Sequence, residues 1–418
     1  MLKAMGKFPI GIWNYCSTDQ LEASSVKDWA DAGLTIAMGP QYDPARHEKK
    51  RLLGILDAAS ERGIQVIVCD KRGDWHSLDA GEEAYRAGFR DALADFGKHP
   101  AVFGYHVGDE PGVRERPKEF IDCCRAYRIQ KEMAPALSPF ANLLPMYAGV
   151  ETRTEYMDWQ RYLDVYVREA HADLLCYDCY SQMNPGEEGF EQYFRNLREY
   201  GEAARRNGIP FWTTLLSVGH YRYRCPREDD FRWQVNTAVA HGAKGILWFF
   251  FYMRKGDSDS RLAPIDEHWE RSETFEWLSR VDRTFLKWHG DVVKKLTYRK
   301  AMHVGKAWGG FQAFAPDNLV ASARCSHDVP LVVSEFQDPS GRDYVMVVNN
   351  SQTESGRAEV CFKGKRPELY RVDWVSAEDH MAKGNPWEGV ARYGEDYIIA
   401  SPHLAPGSME IYRIENGA

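Results

Sequence analysis

Over its first 290 or so positions the chain repeats one pattern: a short apolar run, a break, then a longer stretch with apolar residues every three or four positions. The apolar runs, bounded by Gly, Pro and charged residues, predict buried strands at residues 9–14, 35–39, 65–70, 102–107, 141–145, 174–180, 211–218 and 245–252. The longer stretches predict amphipathic helices at 22–32, 48–62, 82–96, 117–133, 155–170, 191–206 and 229–241. Several helices end in a basic residue or Gly and run straight into a strand, as at Arg62-Gly63-Ile64 and Asn207-Gly208-Ile209. That is helix C-cap chemistry followed by return to a sheet. Eight strands joined by crossovers long enough for parallel pairing predict an α/β fold, a (β/α)8 TIM barrel. A doubly wound open sheet is the alternative, but no Gly-rich phosphate loop follows an early strand.

The pattern then changes. Residues 269–289 predict one more helix, with Phe275, Leu278, Val281, Phe285 and Leu286 on one face. Beyond about residue 290 the helical signal disappears. Short β runs follow at 331–336, 343–349, 357–362, 368–372, 397–399 and 409–414, separated by turn residues. They predict a small C-terminal β-sandwich. The expected domains are therefore a catalytic barrel, 1–290, and a β-sandwich, 291–418. No repeat or low-complexity tract interrupts them.

Composition narrows the function. Of 418 residues 13% are aromatic, with 13 Trp and 22 Tyr, a surplus suited to stacking the flat faces of sugar rings. A formal net charge of −8 argues against a nucleic-acid partner. The longest apolar stretch, 245–253, is too short to cross a bilayer. The start, MLKAMGKFPIGIW, lacks a signal-type apolar core, and the expected location is the cytoplasm. Nine cysteines at irregular spacing, mostly expected as buried small hydrophobes, agree with a reducing compartment. Cys176 and Cys179 have CxxC spacing, but no second pair or neighbouring His completes a zinc set, so no metal and no cofactor are expected.

Candidate chemistry collects where the predicted strands end, because the carboxyl ends of strands build the active sites of such folds. The most informative run is AVFGYHVGDEPG, residues 101–112, an apolar strand that breaks at two adjacent carboxylates, Asp109 and Glu110. The other ends carry Trp13, Asn14 and Tyr15; Gln41 and Tyr42; Asp70 and Trp75; Asn142 and Tyr147; Asp178 and Tyr180; His220 and Tyr221; and Trp248, Tyr252 and Arg254. Carboxylates, amides and aromatic rings converging on one face describe a cleft for a carbohydrate.

FPIGIW at the start, VFGYHVGDEPG at the fourth strand, LLCYDCYS at the sixth, PFWTTLLSVGH at the seventh and HGAKGILWFFFYM at the eighth together resemble the β-galactosidase-type (clan A-like) glycoside hydrolase barrels, in a bacterial branch bearing a GDEP motif. The resemblance spans residues 8 to 290. It implies a glycosidase acting on an oligo- or polysaccharide, with Glu110 as general acid/base. Two departures stand out. The residue before that Glu is usually Asn and here is Asp109. The family's nucleophilic Glu ends the seventh strand, whereas residues 211–221 contain no acid.

Hydrolysis of a glycoside normally needs two carboxyl groups, roughly 5–5.5 Å apart for retention and about 6.5–9.5 Å apart for inversion. Asp178 is the leading second carboxylate, since its apolar strand has little other reason to hold a charge. As a base for water it would lie in the inverting range from Glu110. Asp70 is the next choice, or else a salt-bridge partner of Lys71 or Arg72. Asp109 shapes the loop or pairs with an Arg, and its charge raises the pKa of Glu110. His220, Tyr221, Tyr180 and Tyr252 are expected to bind substrate, with Trp13 and Trp75 as sugar platforms; Trp248 is a platform or part of the core. His106, inside the fourth strand, is expected as a hydrogen-bonded core residue. Two other functions stay open: a catalytically silent carbohydrate-binding barrel, and metal-assisted chemistry through His106, Asp109 and His220.

Overall fold

A computed structural model describes residues 3–112, 117–146, 158–254, 259–372, 379–381 and 389–417. Contacts divide the chain into two units, Met1–Cys225 with Gly245–Asp282, and Pro226–Lys244 with Arg283–Ala418.

The first unit holds two four-stranded parallel sheets. One runs β2 (Ile36–Tyr42), β3 (Gln65–Asp70), β4 (Val102–Asp109), β5 (Phe140–Asn142). The other runs β1 (Ile10–Ile12), β9 (Ile246–Phe249), β7 (Phe211–Leu216), β6 (Leu175–Asp178). A short antiparallel pair, β8 (Gly219–His220) with β10 (Ser260–Arg261), follows the seventh strand. Helices α1 (Val26–Asp31), α2 (Lys49–Glu61), α3 (Glu82–Ala92), α4 (Pro117–Met133), α5 (Trp159–Ala170) and α6 (Glu187–Asn207) supply the crossovers. Residues 155–157, predicted as helical, lie outside the described residues.

Side chains from both sheets share one apolar cluster: Ile36, Ile67, Phe103 and Phe140 pack with Cys176, Trp212 and Leu247. Backbone bonds also cross between the sheets. Thr35 N donates to Ile10 O at 2.9 Å, and Leu143 N donates to Cys176 O at 2.8 Å. Among the described residues no helix is long and apolar enough to cross a membrane. All nine cysteines are free, and Cys16, Cys123, Cys124, Cys176 and Cys179 are buried.

The second unit begins with α7 (Glu228–Ala240), whose Trp233 Nε1 donates to Asn350 Oδ1 (3.0 Å) and whose Asn236 Nδ2 donates to Gly407 O (2.8 Å). These contacts place α7 with residues after 283, although the sequence puts the domain change at residue 290. Helix α8 (Glu273–Phe285) ends at the boundary, and α9 (Asp291–Lys295) adds a helical turn that the sequence pattern does not predict.

The remaining strands form two antiparallel sheets. The larger runs β12 (Gln312–Ala313), β11 (Thr297–Val304), β14 (Leu331–Gln337), β15 (Asp343–Asn349), β22 (Met409–Asn416), β17 (Pro367–Val372), β18 (Asp379–Met381). Only its β11–β12 edge pairs in parallel. The smaller runs β13 (Val320–Cys325), β16 (Gly356–Lys363), β20 (Tyr397–Ala400), β19 (Val390–Tyr393), with β21 (His403–Leu404) beside β16. Val333, Val345 and Tyr412 of one sheet pack with Val320, Val360 and Ile398 of the other.

Candidate active site

Strand register brings the acids together. In the β4–β5 pair Asp109 lies opposite Asn142, and the next residue, Leu143, bridges in parallel to Tyr177 beside Asp178. Asn142 therefore sits between two carboxylates contributed by different strands. Its Nδ2 donates to Asp109 Oδ1 at 3.0 Å and to Asp178 Oδ1 at 2.7 Å. Glu110, one residue past the end of β4, donates its backbone N–H to Asn142 O at 2.8 Å. Its φ of 44° lies in the left-handed region that a non-glycine residue rarely adopts, and such strain collects at functional sites. The Glu110 carboxyl reaches Asp178, and the two carboxyls hydrogen-bond to each other.

Two carboxylates in that contact cannot both be ionised, so a proton lies between them. Asp178 is buried, at 8% exposure, whereas Asp109 and Glu110 face the water of the pocket while protein surrounds them. Burial, then the charges of Asp178 and Asp109, then the shared hydrogen bond raise Glu110 well above the usual carboxylate range. Burial raises Asp178 too, opposed by the hydrogen bonds from Asn142 and Glu110. Asp109 is pushed up to about 7 by burial and by Asp178, with Asn142 pulling the other way. Water in the pocket screens the charges on Asp109 and Glu110.

The three carboxyls and Asn142 line a pocket of about 250 Å³. Trp13, Tyr15, Tyr180 and Phe249 give it aromatic walls, and His220, Tyr221 and Arg254 stand at its mouth. Tyr180 stacks on Phe249 with ring centroids 4.9 Å apart, and the Arg254 guanidinium lies 4.7 Å over the Tyr15 ring. His220 is placed by the β8–β10 pair, its Nδ1 3.4 Å from Ser260 Oγ. Tyr221, 62% exposed, is held at φ 47° with its N–H donating to Asp259 O at 2.8 Å. Apolar ring faces around converging hydrogen-bonding groups are what a sugar ring requires.

Of the residues expected to act on or bind substrate, Trp13, Asp109, Glu110, Asp178, Tyr180, His220 and Tyr221 meet in this pocket. Asp70, Trp75 and Tyr252 do not. Asp70 binds Arg72, with Nε at 3.0 Å and Nη2 at 2.7 Å, and lines a separate cavity. Trp75 is buried against Gly108, where an added Cβ would lie 2.0 Å from the indole, so it offers no open face for a sugar. Tyr252 is buried and its hydroxyl accepts from Trp29 Nε1 at 2.8 Å, because β9 ends at Phe249 and the chain has turned before residue 252.

Further expectations need correction or relocation. Asp109 pairs with Asn142 and not with an Arg. The Glu110–Asp178 contact leaves no space for a water between the two groups, so the separation expected for inversion is not met. Trp248 belongs to the core and donates Nε1 to Asp282 at 3.0 and 3.1 Å. His106 lines the cavity that holds Asp70, while Asp109 and His220 line the smaller pocket; the trio is not brought to one place. Among the described residues no group of three His, Cys, Asp or Glu is arranged to hold a metal ion. Tyr147 lies outside the described residues. Asn142, Tyr15, Phe249 and Arg254 gain roles that strand-end position alone could not assign.

The fold is similar to those of solved glycoside hydrolases. A structure described as a glycoside hydrolase matches with a TM-score of 0.58 at 10% identity, over 98% of this chain and 93% of that one. A family 39 glycoside hydrolase from the gut symbiont Bacteroides cellulosilyticus WH2 matches with a TM-score of 0.52 at 10% identity, over 98% and 81% of the two chains. No protein-family model matches the sequence, and no curated protein matches it. At such identity the likeness carries the fold, and function rests on the site's own chemistry.

Proposed function

We propose that the protein is a glycoside hydrolase acting on a carbohydrate, with Glu110 as general acid/base and Asp178 as its partner carboxyl. The observation that carries this reading is the proton-sharing contact between Glu110 and Asp178 at the ends of parallel strands, inside an aromatic-walled pocket. The two parallel sheets are read as one closed (β/α)8 barrel, supported by the Thr35–Ile10 and Leu143–Cys176 backbone bonds at the two seams. The two antiparallel sheets are read as a C-terminal β-sandwich, with a catalytic domain over residues 1–290 and the sandwich over 291–418.

In this reading the Glu110–Asp178 pair begins the reaction holding one proton. Glu110 passes that proton to the glycosidic oxygen as the bond from the anomeric carbon to that oxygen breaks. The charge left on the pair stands beside the electron-poor sugar ring. Water adds to the anomeric carbon and returns one proton to the pair, which restores the starting state. Asn142 holds Asp109 and Asp178 in position throughout, while Trp13, Tyr180 and Phe249 enclose the ring.

A panel of nitrophenyl glycosides and oligosaccharides, offered to wild type and to Glu110→Gln, tests this reading. Hydrolysis of at least one by wild type, reduced about a hundredfold or more in the variant, is expected. Binding without hydrolysis by wild type would favour the second reading, a catalytically silent carbohydrate-binding barrel. One observation supports that alternative: β7, FWTTLL, holds no carboxylate, and none of its residues lines the pocket.

A further inference from the structure

The three acids of the pocket form one hydrogen-bonded string. Asp109 Oδ1 and Asp178 Oδ1 both accept from Asn142 Nδ2, at 3.0 and 2.7 Å, and Asp178 meets Glu110. A sugar set against that string has acid on one side only. The rest of the described lining is aromatic apart from Asn142, His220 and Arg254. Retention through a carboxylate nucleophile needs two carboxyls about 5–5.5 Å apart, and inversion needs them about 6.5–9.5 Å apart, flanking the scissile bond. The Glu110–Asp178 contact meets neither spacing, and β7 holds no acid. This arrangement supplies a proton donor and leaves the attack on the anomeric carbon to water or to the substrate itself.

Asp109 decides between them. It stands next in the chain to Glu110 and lines the pocket, yet it takes no part in moving the proton. Asn142 occupies one of its oxygens and favours its ionised form, while the other oxygen has no hydrogen-bond partner among the described residues. Burial, then the charge of Asp109, raise the Tyr15 hydroxyl, so that hydroxyl keeps its proton and stands near Asp109. A carboxylate acceptor beside an O–H donor matches the N–H and C=O of a secondary amide. The rings of Trp13, Tyr180 and Phe249 give an apolar wall for a methyl group.

We infer that the substrate is a glycoside of a 2-acetamido-2-deoxy sugar, and that its own amide oxygen attacks the anomeric carbon while Asp109 holds the amide N–H. The inference rests on the glycosidase reading for bond cleavage, but not for recognition of the acetamido group. The amide oxygen closes a five-membered ring on the anomeric carbon as Glu110 protonates the glycosidic oxygen, and the electron pair of the broken bond stays with that oxygen. The positive charge of the new ring is shared with the N–H that faces Asp109. Water then adds to the anomeric carbon and gives one proton to the Glu110–Asp178 pair, and the electron pair of the ring bond returns to the amide oxygen. An attacking group already tethered beside the anomeric carbon replaces the carboxylate that β7 lacks.

Two measurements test this. Wild type is offered nitrophenyl β-glycosides of N-acetylglucosamine and N-acetylgalactosamine beside the matching glucoside and galactoside. At least one acetamido glycoside should exceed its hydroxyl counterpart in kcat/KM by about a hundredfold or more. Replacing its acetyl group by mono-, di- and trifluoroacetyl should lower kcat stepwise, because fluorine withdraws electrons from the attacking oxygen. Binding is measured by calorimetry with the thiazolines fused across the first two carbons of the same sugars, which are stable mimics of the cyclised intermediate. At least one should bind wild type about tenfold or more tighter than its parent N-acetyl sugar. Asp109→Asn keeps an oxygen acceptor but no charge, and should lose that gain while binding the parent sugar within about threefold of wild type.

The inference is overturned if the hydroxyl glycosides are cleaved as fast as their acetamido counterparts, if kcat is flat across the fluorine series, if neither thiazoline gains over its parent sugar, or if the gain survives in Asp109→Asn. Glu110-dependent cleavage of a hydroxyl glycoside alone would retire this inference and leave the hydrolase standing. Asp109-dependent thiazoline binding without cleavage of any glycoside would retire the hydrolase and leave acetamido recognition standing.

Discussion

The carboxyl of Glu110 is hydrogen-bonded to the carboxyl of Asp178, and this contact fixes the charge state of the site. One proton must sit on the pair, and the strained backbone of Glu110 keeps it there by turning the residue off the end of β4 toward Asp178. Removing the carboxyl of Asp178 should leave Glu110 with a neutral neighbour and a lower pKa. Asp178→Asn should therefore lower turnover by at least a hundredfold and move the alkaline limb of the pH–rate profile to lower pH. Full activity with an unmoved limb would remove Asp178 from the mechanism.

Asn142 is the hub of the acid cluster, and its two hydrogen bonds favour the ionised forms of Asp109 and Asp178. Asn142→Ala should raise both pKa values. The acid-side limb of kcat/KM against pH should then shift upward, with activity lost first below neutrality. A profile that falls in height without shifting would mean that Asn142 acts only through packing.

Gly108 meets the indole of Trp75 so closely that no side chain fits between strand and ring. Gly108→Ala forces overpacking, with an expected cost of roughly 1–3 kcal/mol. Denaturant unfolding should register that loss, and a variant as stable as wild type would show that Trp75 can move aside.

The second unit carries its own pH sensitivity. Trp308 N donates to His303 Nδ1 (3.2 Å), so His303 gives its Nε2 proton to His241 Nε2 (3.1 Å), and His241 Nδ1 donates to Thr237 O (2.7 Å). That chain requires both rings neutral. Burial lowers His241 to about 4 and, with His241 adding to it, lowers His303 to about 2. Folded-state values below the unfolded value of about 6.5 mean that the unfolded chain takes up protons first as pH falls. Their stabilising contribution is whole above pH 6.5 and declines steadily toward pH 4. Thermal melts between pH 7.5 and 4.5 should show this loss, with a shallower slope in His303→Gln. An equal slope in that variant would assign the acid sensitivity elsewhere.

How far the sequence reached can be judged from particular residues. The strand at 65–70 and the helix at 117–133 coincide with β3 and α4, because apolar runs and amphipathic periodicity are local signals. Glu110, Asp109 and Asp178 were visible as strand-end acids in apolar surroundings. Their contact was not, because it depends on the β4–β5 register and the Leu143–Tyr177 bridge, which pair residues dozens of positions apart. Tyr252 misled because the WFFFY run reads as continuous strand, whereas β9 stops at Phe249. Strand β11 was missed because Arg299 and Lys300 break its apolar alternation at the point where its pairing with β14 slips. The pairing of Asp70 with Arg72 was among the readings the sequence offered, since the two lie close enough in the chain for a local contact.

The central claim, that Glu110 protonates the leaving group, is tested most directly by the dependence of Glu110→Gln activity on the leaving group itself. A dinitrophenyl glycoside departs without acid assistance, whereas the matching alkyl glycoside or oligosaccharide does not. The account predicts that Glu110→Gln loses a hundredfold or more on the unactivated substrate and little on the dinitrophenyl one. Equal losses on both would contradict it.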